Sequence, residues 1–574
     1  MSNDRKTSPT ADSSNAPLDV PWLDQLTIGQ VLRETATRFP QQDAIVFCAA
    51  DYRRSWSAFD QEVDLVSRAL LASGLRHGDH FGVWATNIPQ WVLLQFATAR
   101  IGVVLVTINP AYRSSELAYT LRQSEVRGLA LIDHFKSNDF FAALQQAVPE
   151  IGQSRAGSLD SSQFPQLKTV IALRGDAPAG IVSWQEFLSR ADTISAEQLA
   201  QAETQPSCLH PINIQYTSGT TGSPKGAMLS HRNILLNAYY AGVGQQLGSQ
   251  DRLCIPVPLY HCFGCVLGTL CAVAHGTTMV FPTESFHVGA VLEALEHERC
   301  TAVYGVPTMF IAMLEHADFQ QHRLTELRTG IMAGSPCPIE LMKRVSKELG
   351  AAQMTIGYGQ TEASPLITQT LTHDSLELRV GTVGRTLPGI EAKVVDPETG
   401  CDLGDMQRGE LCSRGHNVML GYYNSPEQTA AAIDAQGWLH TGDLALREPN
   451  GYYRITGRLR DVIIRGGENI FPREIEELLY EHPAVQDVQI IVVPDLKFGE
   501  QAMAWVHLRE AKTATEEELK AFCQAKLSHF KVPRYWKFVD SFPTTVTGKI
   551  QKYKMREISI EELGLQDAAN IETA

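Results

Sequence analysis

A chain of 574 residues is too long for one compact core, so at least two domains are expected. With 44% hydrophobic and 20% charged residues the composition is that of an ordinary globular protein, and a net charge of −15 argues against the extended basic surface that a nucleic-acid partner would need. No run reaches the ~18 to 20 apolar residues of a membrane span; the longest weakly polar stretch, Val266 to Phe281, is broken by His275-Gly276.

Residues 1–22 are polar and Pro/Ser-rich and are expected to form a disordered tail. They lack both the apolar segment of a secretory leader and the pattern of a transit peptide, which points to a cytoplasmic protein. Beyond them the hydrophobic period alternates between 3.6 and two. A helix capped by Ser57 carries Val63, Val66, Ala69 and Leu70 on one face and stops near Gly74. Strand Phe81–Ala85, helix Pro89–Ile101, strand Val103–Ile108, helix Ser114–Ser124 and strand Leu129–Ile132 follow, a βαβαβ order that implies a parallel sheet with helices on both faces. Pro149 to Ala179 reads as an irregular connection. A second alternation runs from strand Leu253–Val257 through a helix after Phe263, strand Thr278–Phe281, helix Val288–Glu298, strand Thr301–Tyr304, helix Pro307–Glu315, strand Thr329–Met332 and helix Pro338–Leu349 to strand Met354–Ile356. Eleven cysteines without framework spacing suit free thiols, and Cys262-Phe263-Gly264-Cys265 has no second ligand pair in the sequence. Between Gly384 and Ala445 short alternating runs suggest a small β-rich unit with one helix near Pro426–Ile433. From Asp461 the pattern is a compact mixed unit: strand Val462–Ile464, helix Pro472–His482, strands Val485–Val493 and Met503–Leu508, and helix Thr515–Leu527.

Between the two alternations lies Tyr216-Thr217-Ser218-Gly219-Thr220-Thr221-Gly222-Ser223-Pro224-Lys225-Gly226. Its three glycines, the four hydroxyl side chains after Thr217 and its lysine can aim N–H groups, hydroxyls and a cation at phosphate oxygens. It is not the common P-loop, because Pro224 stands where the glycine before Lys225 belongs and Gly226 where Ser or Thr belongs. It resembles the phosphate-binding signature of the adenylate-forming enzymes: acyl-CoA synthetases, peptide-synthetase adenylation domains and firefly luciferases.

Further words of that family recur in order. Ala333-Gly334-Ser335-Pro336 is similar to the adenine-side loop. Gly357-Tyr358-Gly359-Gln360-Thr361-Glu362 matches its YGxTE motif, where a ring such as Tyr358 can stack on adenine, Thr361 can bond the α-phosphate and Glu362 suits Mg2+ as a hard oxygen ligand. Trp438-Leu439-His440-Thr441-Gly442-Asp443 matches the TGD word, whose aspartate accepts the ribose hydroxyls. Gly457-Arg458-Leu459-Arg460-Asp461 corresponds to the domain junction, with Arg458 toward ribose or phosphate and Arg460 at the hinge, where the family usually has aspartate or lysine. Arg465-Gly466-Gly467-Glu468-Asn469 resembles the glycine loop that lines the coenzyme A channel, and Thr545-Val546-Thr547-Gly548-Lys549 the loop of the catalytic lysine. His261 stands at the acyl-pocket position, where Tyr304-Gly305-Val306-Pro307-Thr308-Met309-Phe310 should also lie; Gly305 leaves space, and Val306, Met309 and Phe310 make the pocket apolar.

The resemblance implies an α/β fold: a large N-terminal domain (23–459) of two α/β subdomains plus a small β-barrel, then a small mobile α+β C-terminal domain (460–574). Likeness is greatest to medium-chain fatty acyl-CoA ligases, at Val106-Thr107-Ile108-Asn109-Pro110-Ala111-Tyr112, Ile463 to Pro472 and Ser528 to Pro533. It implies that a carboxylic acid reacts with ATP and Mg2+ to give an acyl-AMP, whose acyl group passes to coenzyme A. Residues Thr217 to Gly222, Lys225, Gly334 to Pro336, Tyr358 to Thr361, Asp443, Arg458 and Lys549 would bind ATP, and Lys549, Thr361, Glu362 and Lys225 would be catalytic. Loading of a separate carrier protein and a non-catalytic acyl-nucleotide sensor are the alternatives; a homodimer is an assembly to test.

Overall fold

The computed structural model describes residues 21–217, 224–335, 337–465, 468–545 and 550–569. Most of the expected tail, Ser218, Gly219, Thr220, Thr221 and Gly222 of the phosphate loop, Pro336, Gly466, Gly467 and Lys549 therefore lie outside the described residues.

Two large sheets organise the N-terminal part. One has eight strands in the order Gly421–Tyr422, Lys225–Ser230, Pro211–Thr217, Val104–Ile108, His80–Trp84, Gly128–Leu131, Thr169–Ala172 and Val182–Ser183. From Pro211–Thr217 onward its neighbours are parallel, as βαβ crossovers demand. Thr169–Ala172 lies within the stretch expected to be irregular. Its four side chains are all buried, and pairing with Gly128–Leu131 on one side and Val182–Ser183 on the other makes this short run a strand.

The second sheet has nine strands and draws its middle from the second alternation: Gln353–Gly359, Thr329–Met332, Ala302–Gly305, Arg252–Cys254 and Thr278–Phe281. It is completed from the start of the chain, because Asp43–Phe47 pairs in parallel with Thr278–Phe281. The two sheets are thus built from interleaved segments.

Helices Pro89–Arg100 and His231–Gln245 are buried around most of their circumference, as expected for helices covered by protein on both sides. The fully buried Asn237 bonds both backbone groups of Leu366, at 2.7 and 2.9 Å, so its amide is satisfied and the helix is locked to the second sheet. Helix Trp56–Ala72 is capped by Ser55, not Ser57: Ser55 is extended and accepts from Ala58 N, while burial of Trp56 and Phe59 brings Ser57 inside the first turn. The expected helix after Phe263 opens as a π-helix, Phe263–Leu270, before Cys271–His275.

The β-rich unit is an antiparallel sheet of Ile390–Val395, Gly409–Gly415, Leu439–Arg447 and Tyr453–Arg458. A turn at Leu459–Asp461 leads to the C-terminal part, where the long hairpin Val485–Asp495/Gly499–Leu508 is covered by Pro472–Tyr480 and Lys552–Leu563. No helix of the described residues is long and apolar enough to cross a membrane.

Candidate active site

Of the expected residues that are described, Thr217, Lys225, Tyr358, Glu362, Asp443 and Arg458 gather at the C-terminal end of Gln353–Gly359, where an open parallel sheet leaves its strand ends uncovered. The phosphate loop joins Pro211–Thr217 to Lys225–Ser230, which are antiparallel neighbours with Thr217 opposite Lys225. Tyr119 donates to Pro224 O at 3.1 Å, fixing the C-terminal flank of that loop.

Two clusters form on either side of the Tyr358–Glu362 turn. In the first, Glu362 Oε1 accepts from Tyr422 at 2.8 Å and from Thr217 Oγ1 at 3.3 Å, and Glu362 O accepts from Met419 N at 2.9 Å. Lys225 Nζ lies 5.1 Å from the centre of the Tyr422 ring, a cation–π distance. Burial and then the charge of Glu362 raise the Tyr422 phenol, so it remains a donor at any working pH. Tyr422 was not among the residues singled out from sequence. Its only local mark is the preceding Gly421, at φ 138°, and its partner lies 60 residues away.

In the second cluster Tyr358 donates to Asp443 Oδ2 at 2.7 Å and Arg458 Nε lies 3.0 Å from Asp443 Oδ1. Burial, and next the Asp443 charge, raise the Tyr358 phenol. Asp443 reaches this position because its strand carries a bulge: Glu410 pairs with Leu444 and Cys412 with His440, so Thr441-Gly442-Asp443 must bow out opposite a single residue. Gly442 takes φ 71°, and Glu410 Oε1 accepts its N–H at 2.9 Å.

The segments expected to border the acyl group reach the Thr361–Glu362 turn and the Gly334 loop. Cys262 Sγ is 3.7 Å from Thr361 Oγ1, and His261 Nδ1 accepts from Phe263 N at 3.1 Å. A Cβ on Gly334, at φ 89°, would lie 3.1 Å from Val306, so the adenine-side loop rests on the acyl-side segment. Val306 and Met309 are buried in the core shared by the two sheets. The space left by Gly305 is taken by Phe310, whose ring would be 2.9 Å from a Cβ there. Phe310 itself lies on helix Pro307–Leu314 and packs in a separate core from the one that holds Val306 and Met309.

In the C-terminal part Ile463–Arg465 pairs with Glu468–Ile470, leaving two residues between the paired segments. Thr544 bridges Ile550, closing the base of the segment that holds Lys549. Lys552 Nζ then ties that base to Glu476, at 2.7 Å. Arg460 lies in the Leu459–Asp461 turn.

This arrangement of Thr217, Lys225, Glu362, Tyr358, Asp443 and Arg458 agrees with similarity to known proteins. The pattern of the AMP-binding enzyme family matches residues 32–423, and that of the AMP-binding enzyme C-terminal domain matches residues 474–549. The chain belongs to the AMP-binding enzyme family. It is 47% identical to a Bacillus subtilis protein named as an acyl-CoA synthetase, YngI, over 94% of this chain and 98% of that one. It is 43% identical to the mitochondrial medium-chain acyl-CoA ligase ACSF2 of Danio rerio, over 95% and 90%. Among solved structures, the anthranilate CoA ligase AuaEII in complex with anthranoyl-AMP superposes with a TM-score of 0.82 at 25% identity, over 95% and 99% of the two chains. This member of the family is an AMP-forming acyl-CoA synthetase.

Proposed function

We propose that the substrate is a medium-chain fatty acid, which ATP converts to an acyl adenylate before the thiol of coenzyme A displaces AMP. The observation that carries this reading is the meeting of Thr217, Lys225, Glu362, Tyr358, Asp443 and Arg458 around one strand end, in a chain 43% identical to a medium-chain acyl-CoA ligase.

The roles follow from charge and reach. A carboxylate must approach a polyphosphate anion, so cations and N–H donors have to offset the repulsion. The segment Ser218-Gly219-Thr220-Thr221-Gly222 with Thr217 and Lys225 would hold the phosphates that leave as pyrophosphate, and Thr361 would donate to the α-phosphate. Glu362 fits a hard cation, since its described partners are neutral hydroxyls that orient the carboxylate without cancelling its charge. Mg2+ bound there would supply Lewis-acid stabilisation of phosphate charge. Asp443 accepts one bond on each oxygen and retains one lone pair on each for the two ribose hydroxyls. The Gly334–Pro336 loop and residues 358–360 would flank the adenine, while His261, Val306 and Met309 would border the acyl chain.

Lys549 would meet the carboxylate and α-phosphate in the first step. In the second the C-terminal domain, beginning at Arg460, would rotate to bring Gly466, Gly467 and Glu468 to the thiol channel. The test has two parts. Pyrophosphate release and thioester formation are measured with acids from acetate to palmitate and with benzoate; kcat/KM should rise several-fold per two carbons, since each buried methylene contributes up to about 0.8 kcal/mol, and peak at medium length. A peak at acetate or benzoate refutes the substrate assignment. Lys549→Ala should abolish pyrophosphate release yet leave turnover of supplied acyl-AMP with coenzyme A largely intact; equal loss of both refutes the division of labour.

A further inference from the structure

Behind the bulge that carries Asp443 lies a second group of ligating side chains that the reaction above does not use. Glu410 and Cys412 are two residues apart on Gly409–Gly415 and so face the same side of the sheet; His440 is the cross-strand partner of Cys412. One ligand atom from each lies within 4.8 Å of the other two. His440 Nδ1 is 3.5 Å from Cys412 Sγ and 2.8 Å from Glu410 Oε2. Bond lengths of ~2.0–2.3 Å at tetrahedral zinc place neighbouring ligand atoms roughly 3.4 to 3.6 Å apart. The Cys–His separation already meets that, and the Glu–His contact would open by about half an ångström.

We propose that Glu410, Cys412 and His440 form a binding site for a thiophilic divalent cation of the Zn2+ or Co2+ kind. One of the outer partners that such ligands need is in place, and a second lies just beyond hydrogen-bond reach. Glu410 Oε1 is held by Gly442 N–H at 2.9 Å, and Asp434 Oδ2 lies 3.8 Å from His440 Nε2, on the far side of the ring from the ligand atom. A carboxylate, a thiolate and a neutral imidazole balance the charge of a divalent ion, and three protein ligands leave a fourth position for water. Cys412 is fully buried and Glu410 nearly so, while the His440 side chain is 35% exposed and gives the ion its way in. Burial pushes the Cys412 thiol up to about 12, so the ion displaces a proton, which leaves to solvent. Thiolate and imidazole donors separate this site chemically from the all-oxygen environment of Glu362.

The test is a Co2+ titration of the full-length, chelator-washed protein. One equivalent should produce a thiolate-to-cobalt charge-transfer band together with tetrahedral d–d absorption, and Zn2+ should displace both. Cys412→Ser should remove the charge-transfer band, and His440→Gln should weaken Zn2+ binding by at least about tenfold, the lower end of what even outer partners contribute. Circular dichroism checks that each variant is folded. Absence of a thiolate band in the unmodified protein overturns the proposal whatever the variants do. So does a band that persists in folded Cys412→Ser, or Zn2+ affinity unchanged in folded His440→Gln.

Discussion

Glu362 and Asp443 are two carboxylates on opposite sides of one turn, and they differ in what neutralises them. Asp443 faces a guanidinium and a phenol, whereas Glu362 receives two hydroxyls, with the nearby Lys225 ammonium placed over the Tyr422 ring. A carboxylate already paired with Arg458 keeps lone pairs for neutral O–H donors but has its charge largely offset. One held by hydroxyls alone keeps its charge for a cation. On the proposed function, its neighbours would suit the same functional group to a sugar in one place and a metal in the other.

The largest effect should come from Asp443→Ala. It removes both proposed charge-assisted bonds to ribose, each worth roughly 1.5 to 3 kcal/mol, so AMP affinity should fall by about 100-fold or more in calorimetry. Unchanged AMP binding would end the ribose assignment.

Glu362→Gln keeps size and orientation but removes the charge. Pyrophosphate release should drop by about 30- to 100-fold, with half-saturation shifted to higher Mg2+, because electrostatic stabilisation of transferring phosphate charge is lost. AMP affinity measured without metal should hardly move. If both variants alter Mg2+ dependence alike, the contrast between the carboxylates is wrong.

The supporting hydroxyls should show the same split at lower amplitude. Tyr358→Phe deletes one donor to Asp443 and should weaken AMP binding by about five- to tenfold, less than the loss of a direct bond to a charged group, because the phenol only orients the carboxylate. Tyr422→Phe deletes one of two hydroxyls on Glu362 and should raise the Mg2+ requirement by about threefold while leaving AMP affinity alone. A titration of pyrophosphate release against Mg2+ in both variants checks the pair.

Much of the fold was legible because short apolar runs alternate with longer helical segments along the chain, which leaves a strong local period. Strands Thr278–Phe281 and Thr329–Met332 occur with the expected bounds. Local pattern failed where a segment became regular only through a distant partner. Thr169–Ala172 lies in a stretch rich in Gly, Ser, Gln and Pro that reads as irregular, and Asp43–Phe47 joins the second sheet through residues more than two hundred positions away. At the site, the phosphate loop, Glu362 and Asp443 were visible as words, but Tyr422 was not, because a tyrosine hydroxyl acquires its role from what it faces.

The sequence by itself determined the chemical inventory: a loop of glycines and hydroxyls, a lysine, two acidic residues in recognisable contexts, and the order of strands and helices that carries them. Those properties are local, since backbone freedom, side-chain charge and hydrophobic period are set by residues within a few positions of one another. Tertiary structure decided which partners neutralise each charge. It set Arg458 beside Asp443 and Tyr422 beside Glu362, and assigned the space at Gly305 to Phe310. These outcomes depend on contacts between segments that only the packing of the two sheets and the bulge before Asp443 bring within a few ångströms, where electrostatic and steric interactions are strong enough to choose a role.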